Sequence, residues 1–110
     1  MLTDHRGKSR PVYVISVAAE ITGLHPRTLR IYEERGLLRP TRRNRIRLYS
    51  DSDIERVRMI RQLIEGYRLN LAGVRLLLQV YERLQVSRDG DDVVNWLIHR
   101  ILDGRGGDDV

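Results

Sequence analysis

Apolar residues recur at helical spacing in several separate segments of the chain, and the first of these is short. Val17, Ala18 and Ile21 share one face of a helix that the spacing predicts over about 17–22. Ser16 precedes this helix and is a candidate N-cap, because a serine hydroxyl accepts from the open N–H groups of a first turn. The first helix is therefore predicted to begin directly after Ser16.

A second helix follows after only a few residues. Leu29 and Tyr32 share one side of it, and the pattern predicts a helix over about 26–35. Pro26 suits the first helical position, where its missing N–H costs nothing, and Gly36 ends the helix. Two short helices with such a tight connection are typical of a helix-turn-helix, whose second helix reads DNA.

The pattern then changes from helical to alternating. Ile46 and Leu48 alternate with Arg45 and Arg47, which predicts a strand with its aliphatic side chains facing inward and its arginines facing outward. With the polar residues 41–45 as the turn, the stretch over about 38–49 is predicted to be a β-hairpin. Directly after a recognition helix, such a hairpin is a wing.

Longer helical patterns fill the rest of the chain. Ser50 and Asp53 have the spacing of a capping box and open a helix predicted over about 51–66. Further apolar stripes predict a helix over about 71–85 and a last helix over about 93–102. The fold class is therefore mainly α, a winged helix-turn-helix with a small β-hairpin wing and C-terminal helices.

The apolar stripes of residues 71–103 carry no candidate catalytic or ligand-binding side chains. They must be buried against another apolar surface, in this chain or in a partner. The winged part, 12–70, already needs a core of its own, and the chain has no Phe and only 5% aromatic residues to build one. A partner chain is the more economical cover, so 71–103 is predicted to hold dimerisation helices. The predicted dimer interface consists of Val74, Leu77, Leu78, Tyr81, Leu84, Trp96, Leu97 and Ile101.

The two ends carry no pattern of this kind. Residues 1–11 are polar and basic and are predicted to be a flexible leader. Residues 104–110 are rich in Gly and Asp and are predicted to be a disordered tail.

Positive charge is concentrated in one part of the chain. The stretch from Arg27 to Arg47 holds eight arginines and two glutamates, a net charge of +6, whereas the whole chain carries +5. Such local charge is the footprint of a nucleic-acid reader. Arginine supplies all but one of the 20 basic residues, which favours bidentate recognition of phosphate or guanine.

Composition excludes several other classes of protein. The chain has no Cys, which removes disulfides, thiolate metal sites and cysteine nucleophiles. The three histidines fall in different segments, and no hydrolase, nucleotide-binding or zinc-protease motif is present. The sequence therefore predicts no enzyme activity, no cofactor and no metal. No apolar run approaches the length of a membrane span, so a cytoplasmic protein without membrane contact is expected.

The candidate DNA contacts lie on the first two helices and the wing. Arg27 and Arg30 are expected to contact base edges, since arginine bridges O6 and N7 of guanine. Thr28 is expected at a thymine methyl or a phosphate, and Tyr32 at a phosphate or in the core. The remaining candidates for phosphate or minor-groove contact are Ser16, His25, Arg42, Arg43, Arg45, Arg47 and Tyr49. For His25, capping or packing at the turn is the first expected role, and a DNA contact is the alternative.

Five short stretches of the sequence, taken together, resemble one known family. They are Ile15-Ser16-Val17-Ala18-Ala19, Thr28-Leu29-Arg30-Ile31-Tyr32-Glu33, Gly36-Leu37-Leu38-Arg39-Pro40, Arg47-Leu48-Tyr49-Ser50 and Asp53-Ile54. In this order they resemble the MerR family of winged-helix transcription regulators over about 12–80. Within it, the stretches 23–30 and 70–74 are most similar to the heat-shock branch, HspR.

The family resemblance implies a homodimer held by an antiparallel helix pair, with two winged modules on successive major grooves. The resemblance to the heat-shock branch implies repression of chaperone genes at an inverted repeat in double-stranded DNA, with the chaperone DnaK as co-repressor. The sequence departs from many relatives at the wing turn, where Asn44 stands among arginines instead of a glycine.

Three other functions remain open at this point. One is another MerR-type regulator without an effector domain, such as a nitrogen regulator or an activator. Another is an architectural DNA-bending protein, in which the wing matters more than base reading. The third, RNA binding, is the weakest, because the basic residues include no aromatic platform for stacking bases.

Overall fold

Nine elements make up the part of the chain that the computed structural model describes, residues 5–86 and 90–103. In chain order these elements are α1 (His5–Ser9), β1 (Tyr13–Val14), α2 (Ile15–Thr22), α3 (Pro26–Glu34), β2 (Thr41–Arg43), β3 (Ile46–Tyr49), α4 (Asp51–Glu65), α5 (Leu71–Val86) and α6 (Gly90–Leu102). The predicted fold class, mainly α with a small sheet, is confirmed.

Helix α2 begins two residues earlier than its pattern predicts. Its N-cap is Val14, an extended residue at the end of β1, and no side chain caps the helix. The prediction that Ser16 is the cap is therefore wrong, because the chain passes directly from strand to helix and Ser16 lies within the first turn. At the other end Gly23 has a φ of 73°, and this left-handed residue ends the helix.

Helix α3 begins with the cap that the sequence predicts as the first role of His25. The imidazole Nδ1 of His25 accepts a hydrogen bond of 3.0 Å from the backbone N–H of Arg27, and Pro26 takes the first turn. Leu29 and Tyr32 then bury one side of the helix against the core. Local signals thus fix the turn between the two helices: Gly23 ends α2, and His25 and Pro26 begin α3.

The three strands form one antiparallel sheet in the order β1-β3-β2. Arg43 pairs with Ile46, so the turn of the hairpin is only Asn44 and Arg45, whereas the sequence predicts a turn over 41–45. The predicted facing of β3 is also wrong. Arg47 and Tyr49 face α3 and the core, and Ile46 is 54% exposed. A buried tyrosine ring and an ion pair with α3 outweigh the burial of one isoleucine.

Helix α4 lies under the helix-turn-helix and the sheet. Its capping box is present as predicted: the Ser50 hydroxyl accepts from the N–H of Asp53, and the Asp53 carboxylate accepts from the N–H of Ser50. Its buried face joins a core built almost entirely from aliphatic side chains and two tyrosine rings. The members of that core are Ala18, Ala19, Leu29, Tyr32, Leu37, Leu38, Tyr49, Ile54, Val57, Ile60, Val74 and Leu78.

The core also takes in the start of α5. Val74 and Leu78 are 0% and 3% exposed and pack with the winged module. The prediction that they lie in a dimer interface is therefore wrong, because this apolar side of α5 is buried in the core of its own chain. Asn70 caps α5 by accepting from the N–H of Gly73 at 2.8 Å.

The two ends differ from their predictions in different ways. Residues 5–9 of the predicted flexible leader form α1, and the Lys8 ammonium donates to the Glu55 carboxylate of α4 at 3.0 Å. The five residues of α1 are too few for a helix that is stable by itself, and the contact with α4 stabilises it. Helix α6 begins at Gly90, three residues before its predicted start. Residues 1–4 of the leader and the predicted tail, 104–110, lie outside the described residues.

Candidate nucleic-acid interface

One face of α3 is open and carries charge. Arg27, Arg30 and Glu34 are exposed and recur at positions i, i+3 and i+7, while Leu29 and Tyr32 on the opposite side are buried. Thr28 is partly buried at the edge of this face. Two arginines one turn apart on the outer side of a recognition helix have the reach needed to contact base edges in a major groove.

The wing is tied to α3 by a single carboxylate. Glu33 accepts from the Arg42 guanidinium at 3.1 Å and from the Nε of Arg47, and its side chain is 20% exposed. Burial alone raises the pKa of the Glu33 carboxyl. The two hydrogen-bonded arginines outweigh burial, so this pKa lies below its ordinary value. Helix and hairpin therefore form one unit.

This tie divides the wing arginines into two groups. Arg42 and Arg47 are engaged by Glu33, and the Arg47 side chain is only 24% exposed. Arg43 and Arg45 are exposed at the tip of the hairpin. Arg47, predicted to face outward to DNA, is therefore turned toward α3, and Arg43 and Arg45 are the exposed arginines at the tip of the wing.

Glu33 makes the tie sensitive to acid. Because its pKa is lowered in the folded state, its stabilisation is fully present above the unfolded value, ordinarily 4.5, and is lost as pH falls through the folded value. We expect Glu33→Gln to lower the free energy of unfolding by about 1 kcal/mol at neutral pH. In urea unfolding, the difference from wild type should shrink below pH 4.5.

Glu34→Gln is the matched control, since Glu34 is the next residue on α3 and is exposed. It should leave stability unchanged at both pH values. A Glu33→Gln chain as stable as wild type at neutral pH would show that the tie contributes nothing to folding.

Two tyrosines among the candidate DNA contacts lie in the core, which for Tyr32 is one of its two predicted roles. Tyr49 is 0% exposed, and Tyr32 is 6% exposed. Burial is the main cause that raises the pKa of each phenol. Tyr49 is therefore a packing residue and the prediction of a DNA contact is wrong for it, because the chain has no Phe and uses tyrosine rings to fill its core.

Ser16 and His25, two further candidates for DNA contact, are both exposed to solvent. Ser16 is exposed in the first turn of α2, near the open N–H groups of that helix end. His25 is exposed as well, but its Nδ1 is used in the cap of α3. Its first role is therefore to fix the start of the recognition helix.

Two arginines of α4, which the sequence left without a role, hold this interface in place. The Nε of Arg56 donates to the carbonyl of Leu37 at 2.6 Å, and Arg61 donates to the carbonyl of Thr22 at 2.8 Å. The Thr22 carbonyl lies at the end of α2, and the Leu37 carbonyl lies just after α3. The partners are 19 and 39 residues apart in the chain, so no local pattern of the sequence marks either contact.

Comparison with known proteins gives this architecture a family. The family described as MerR HTH family regulatory protein matches residues 13–80, which span α2, α3, the wing, α4 and more than half of α5. The chain belongs to the MerR family. Members of this family are transcription regulators rather than enzymes, as the sequence predicts for this chain. The predicted resemblance is confirmed.

Curated MerR relatives come from more than one branch. The putative heat shock protein HspR of Streptomyces coelicolor is 49% identical over 71 residues, which are 64% of this chain and 47% of that relative. The transcriptional regulator GlnR of Bacillus anthracis is 34% identical over 100 residues, which are 86% of this chain and 77% of GlnR. The chain thus spans about half the length of the HspR protein that it matches.

A solved MerR structure has the same fold. The transcription regulator PbrR691 from Ralstonia metallidurans CH34, crystallised in complex with lead(II), superposes with a TM-score of 0.63 at 26% identity. The match covers 84% of this chain and 71% of PbrR691. Among the described residues of this chain, no three His, Asp or Glu side chains form a group suited to a metal ion.

In this MerR chain, the open side of α5 carries an apolar stripe. Leu77, Tyr81 and Leu84 are 45%, 51% and 52% exposed and follow one another at positions i, i+4 and i+7. Of the other predicted interface residues, Ile101 is exposed and Leu97 is partly buried. The guanidinium of Arg83 lies 4.5 Å from the centre of the Trp96 ring, so this indole is already covered on one face.

No helix in the described ranges is long and apolar enough to cross a membrane.

Proposed function

We propose that this chain is a sequence-specific DNA-binding transcription regulator that acts as a homodimer on an inverted repeat. The observation that carries the proposal is the exposed arginine face of α3, tied through Glu33 to an arginine-rich wing. One rigid unit then offers Arg27 and Arg30 to base edges and the wing tip to the backbone.

The two helices of the motif divide the work. Helix α3 enters the major groove, where Arg27 and Arg30 read guanines and Thr28 contacts a neighbouring methyl or phosphate. Helix α2 crosses the backbone, and the N–H groups of its first turn beside Ser16 receive a phosphate. His25 supports this arrangement chiefly by capping α3.

The homodimer rests on the α5 stripe. Leu77, Tyr81 and Leu84 have the spacing of a coiled-coil seam and are about half exposed in a single chain. Regulators of the MerR family bind DNA and act as dimers, and a two-fold dimer presents two recognition helices to the two halves of an inverted repeat. Ile101, which is exposed, and Leu97, which is partly buried, are further candidates for this interface on α6.

Repression of heat-shock chaperone genes is the regulatory role that we propose, with DnaK as a co-repressor and the bacterial cytoplasm as the site of action. The supporting observation is the 49% identity to a putative heat shock protein HspR. The second candidate is nitrogen regulation, favoured by the match to GlnR over 86% of this chain.

DNase footprinting on the chain's own genome separates these roles. We expect protection upstream of the chaperone operon that contains DnaK, and a several-fold gain in affinity when purified DnaK is added. Protection upstream of glutamine synthetase genes, with none at the chaperone operon, would support the nitrogen role and contradict the heat-shock one.

Wing contact with the backbone is tested by the salt dependence of binding. Arg43→Ala should weaken binding to every duplex by a similar factor and make the slope of log affinity against log salt shallower by about one per wing. Fluorescence anisotropy with a labelled duplex at several salt concentrations measures this slope.

Arg58→Ala is the control, since Arg58 is an exposed arginine of α4 and the substitution removes the same charge outside the interface. If Arg43→Ala and Arg58→Ala change the slope equally, only the total charge matters and the wing makes no specific contact.

A further inference from the structure

The wing turns on two residues with an unusual backbone. Because Arg43 pairs with Ile46, the connection consists of Asn44 and Arg45 alone. Their φ angles are 53° and 69°, both in the left-handed region. A two-residue hairpin with positive φ at both positions favours asparagine followed by glycine. Asn44 suits its position, whereas an arginine at the second position is strained.

Nothing in the described part of the chain compensates for this strain. Arg45 is exposed, and no hydrogen bond or ion pair of its side chain is found among residues 5–86 and 90–103. Arg42 and Arg47, by contrast, are engaged by Glu33. Folding alone would favour glycine at 45. Strained backbone that the fold does not need is characteristic of a functional position.

The position of Arg45 distinguishes it from the other wing arginines. A simple phosphate contact is available to Arg43, which lies in a strand with ordinary backbone geometry. Arg45 stands at the outermost point of the hairpin, beside the exposed apolar side chain of Ile46. A narrow hairpin tip with one cationic and one apolar side chain fits a narrow groove between two sugar-phosphate walls.

We propose that Arg45 enters the minor groove and reads its width, so that the regulator prefers A·T pairs at that point of each half-site. A·T-rich segments have a narrow minor groove with enhanced negative potential, which attracts an inserted guanidinium. This preference rests on the proposed function, and it adds sequence information outside the bases that α3 reads. The strain at residue 45 is then the cost of placing a charge at the tip.

The test uses three versions of one duplex bound by the protein, with A·T, G·C or inosine·C pairs at the positions under the wing. Inosine·C presents A·T-like groups in the minor groove and G·C-like groups in the major groove. We expect wild type to bind the A·T and inosine·C duplexes alike, and the G·C duplex about fivefold to tenfold more weakly. Arg45→Gly should bind all three with the same affinity.

Two further variants separate groove reading from charge and from turn geometry. Arg43→Ala should lower affinity for all three duplexes while keeping the preference for A·T and inosine·C. Arg45→Asn keeps a residue that tolerates positive φ and should lose the preference as Arg45→Gly does. Arg45→Gly should also raise the midpoint of thermal unfolding by a few degrees, because the relief of strain exceeds the entropy that glycine adds to the unfolded chain.

The outcomes distinguish this proposal from the one on which it rests. Equal wild-type affinity for all three duplexes, or a preference that survives Arg45→Gly, overturns the role of Arg45 while duplex binding itself stands. Inosine·C behaving like G·C assigns the preference to the major groove and also overturns it. Failure of wild type to bind any selected duplex overturns the proposed function itself.

Discussion

Replacement of Arg30 by alanine is expected to weaken binding to the cognate site by roughly 1–3 kcal/mol per half-site and to relax the base preference at one position. Arg30 is exposed on the open face of α3, one turn after Arg27. A guanidinium that donates to both O6 and N7 of a guanine cannot be replaced by water at equal free energy. Competition binding with single-base variants of the site measures the change.

A role in base reading is shown by a loss of affinity that is larger for cognate DNA than for random DNA. Arg58→Ala removes one exposed arginine from α4 and should leave the base preference intact. If Arg30→Ala weakens cognate and random DNA by the same factor, Arg30 is a phosphate contact and does not read a base. Fluorescence titrations with both kinds of duplex decide between these readings.

Leu77→Asp is expected to convert the dimer into a monomer. Leu77 is 45% exposed in the single chain and is the first residue of the α5 stripe with Tyr81 and Leu84. A carboxylate at this position would be buried without a partner in the helix pair, which costs several kcal/mol for two copies. Because Val74 and Leu78 hold the opposite side of α5 in the core, the monomer should stay folded.

Sedimentation velocity and circular dichroism together test this expectation. Val86→Asp is the control, because Val86 lies on the same helix and is 83% exposed, away from the stripe. It should sediment like wild type. A Leu77→Asp chain that is folded and as dimeric as wild type would exclude the α5 stripe as the dimer seam.

Local chemistry explains why much of the winged module is predictable from sequence. Pro26, the left-handed Gly23 and the Ser50–Asp53 capping box each fix a helix end through atoms a few residues apart. Such signals act within one turn, so they survive without knowledge of the tertiary fold. The order of recognition helix, wing and long helix follows from them.

The errors arise where distant contacts decide. Tyr49 and Arg47 alternate with aliphatic residues in a pattern that suits either facing of β3. The choice is made by the Glu33 carboxylate of α3 and by a core that lacks Phe. A period of two shows that faces alternate, but it does not say which face is buried.

The C-terminal helices show the same limit. The apolar positions of α5 form one broad pattern in the sequence, yet Val74 and Leu78 serve the chain's own core whereas Leu77 and Tyr81 remain open. Only the packing of α5 on α4 separates the two sets. The candidate interface residues on α3 and at the wing tip are, for comparison, exposed as their charge predicts.

Selection of bound duplexes from a random DNA pool, at near-physiological salt, tests base reading by a dimer most directly. The wild-type chain should enrich an inverted repeat whose two halves carry guanines for α3, with A·T pairs flanking them under the wings. Tight, salt-dependent binding with no enriched motif would contradict base reading and indicate an architectural DNA-bending protein. An enriched single site without a second, inverted half would contradict the dimer.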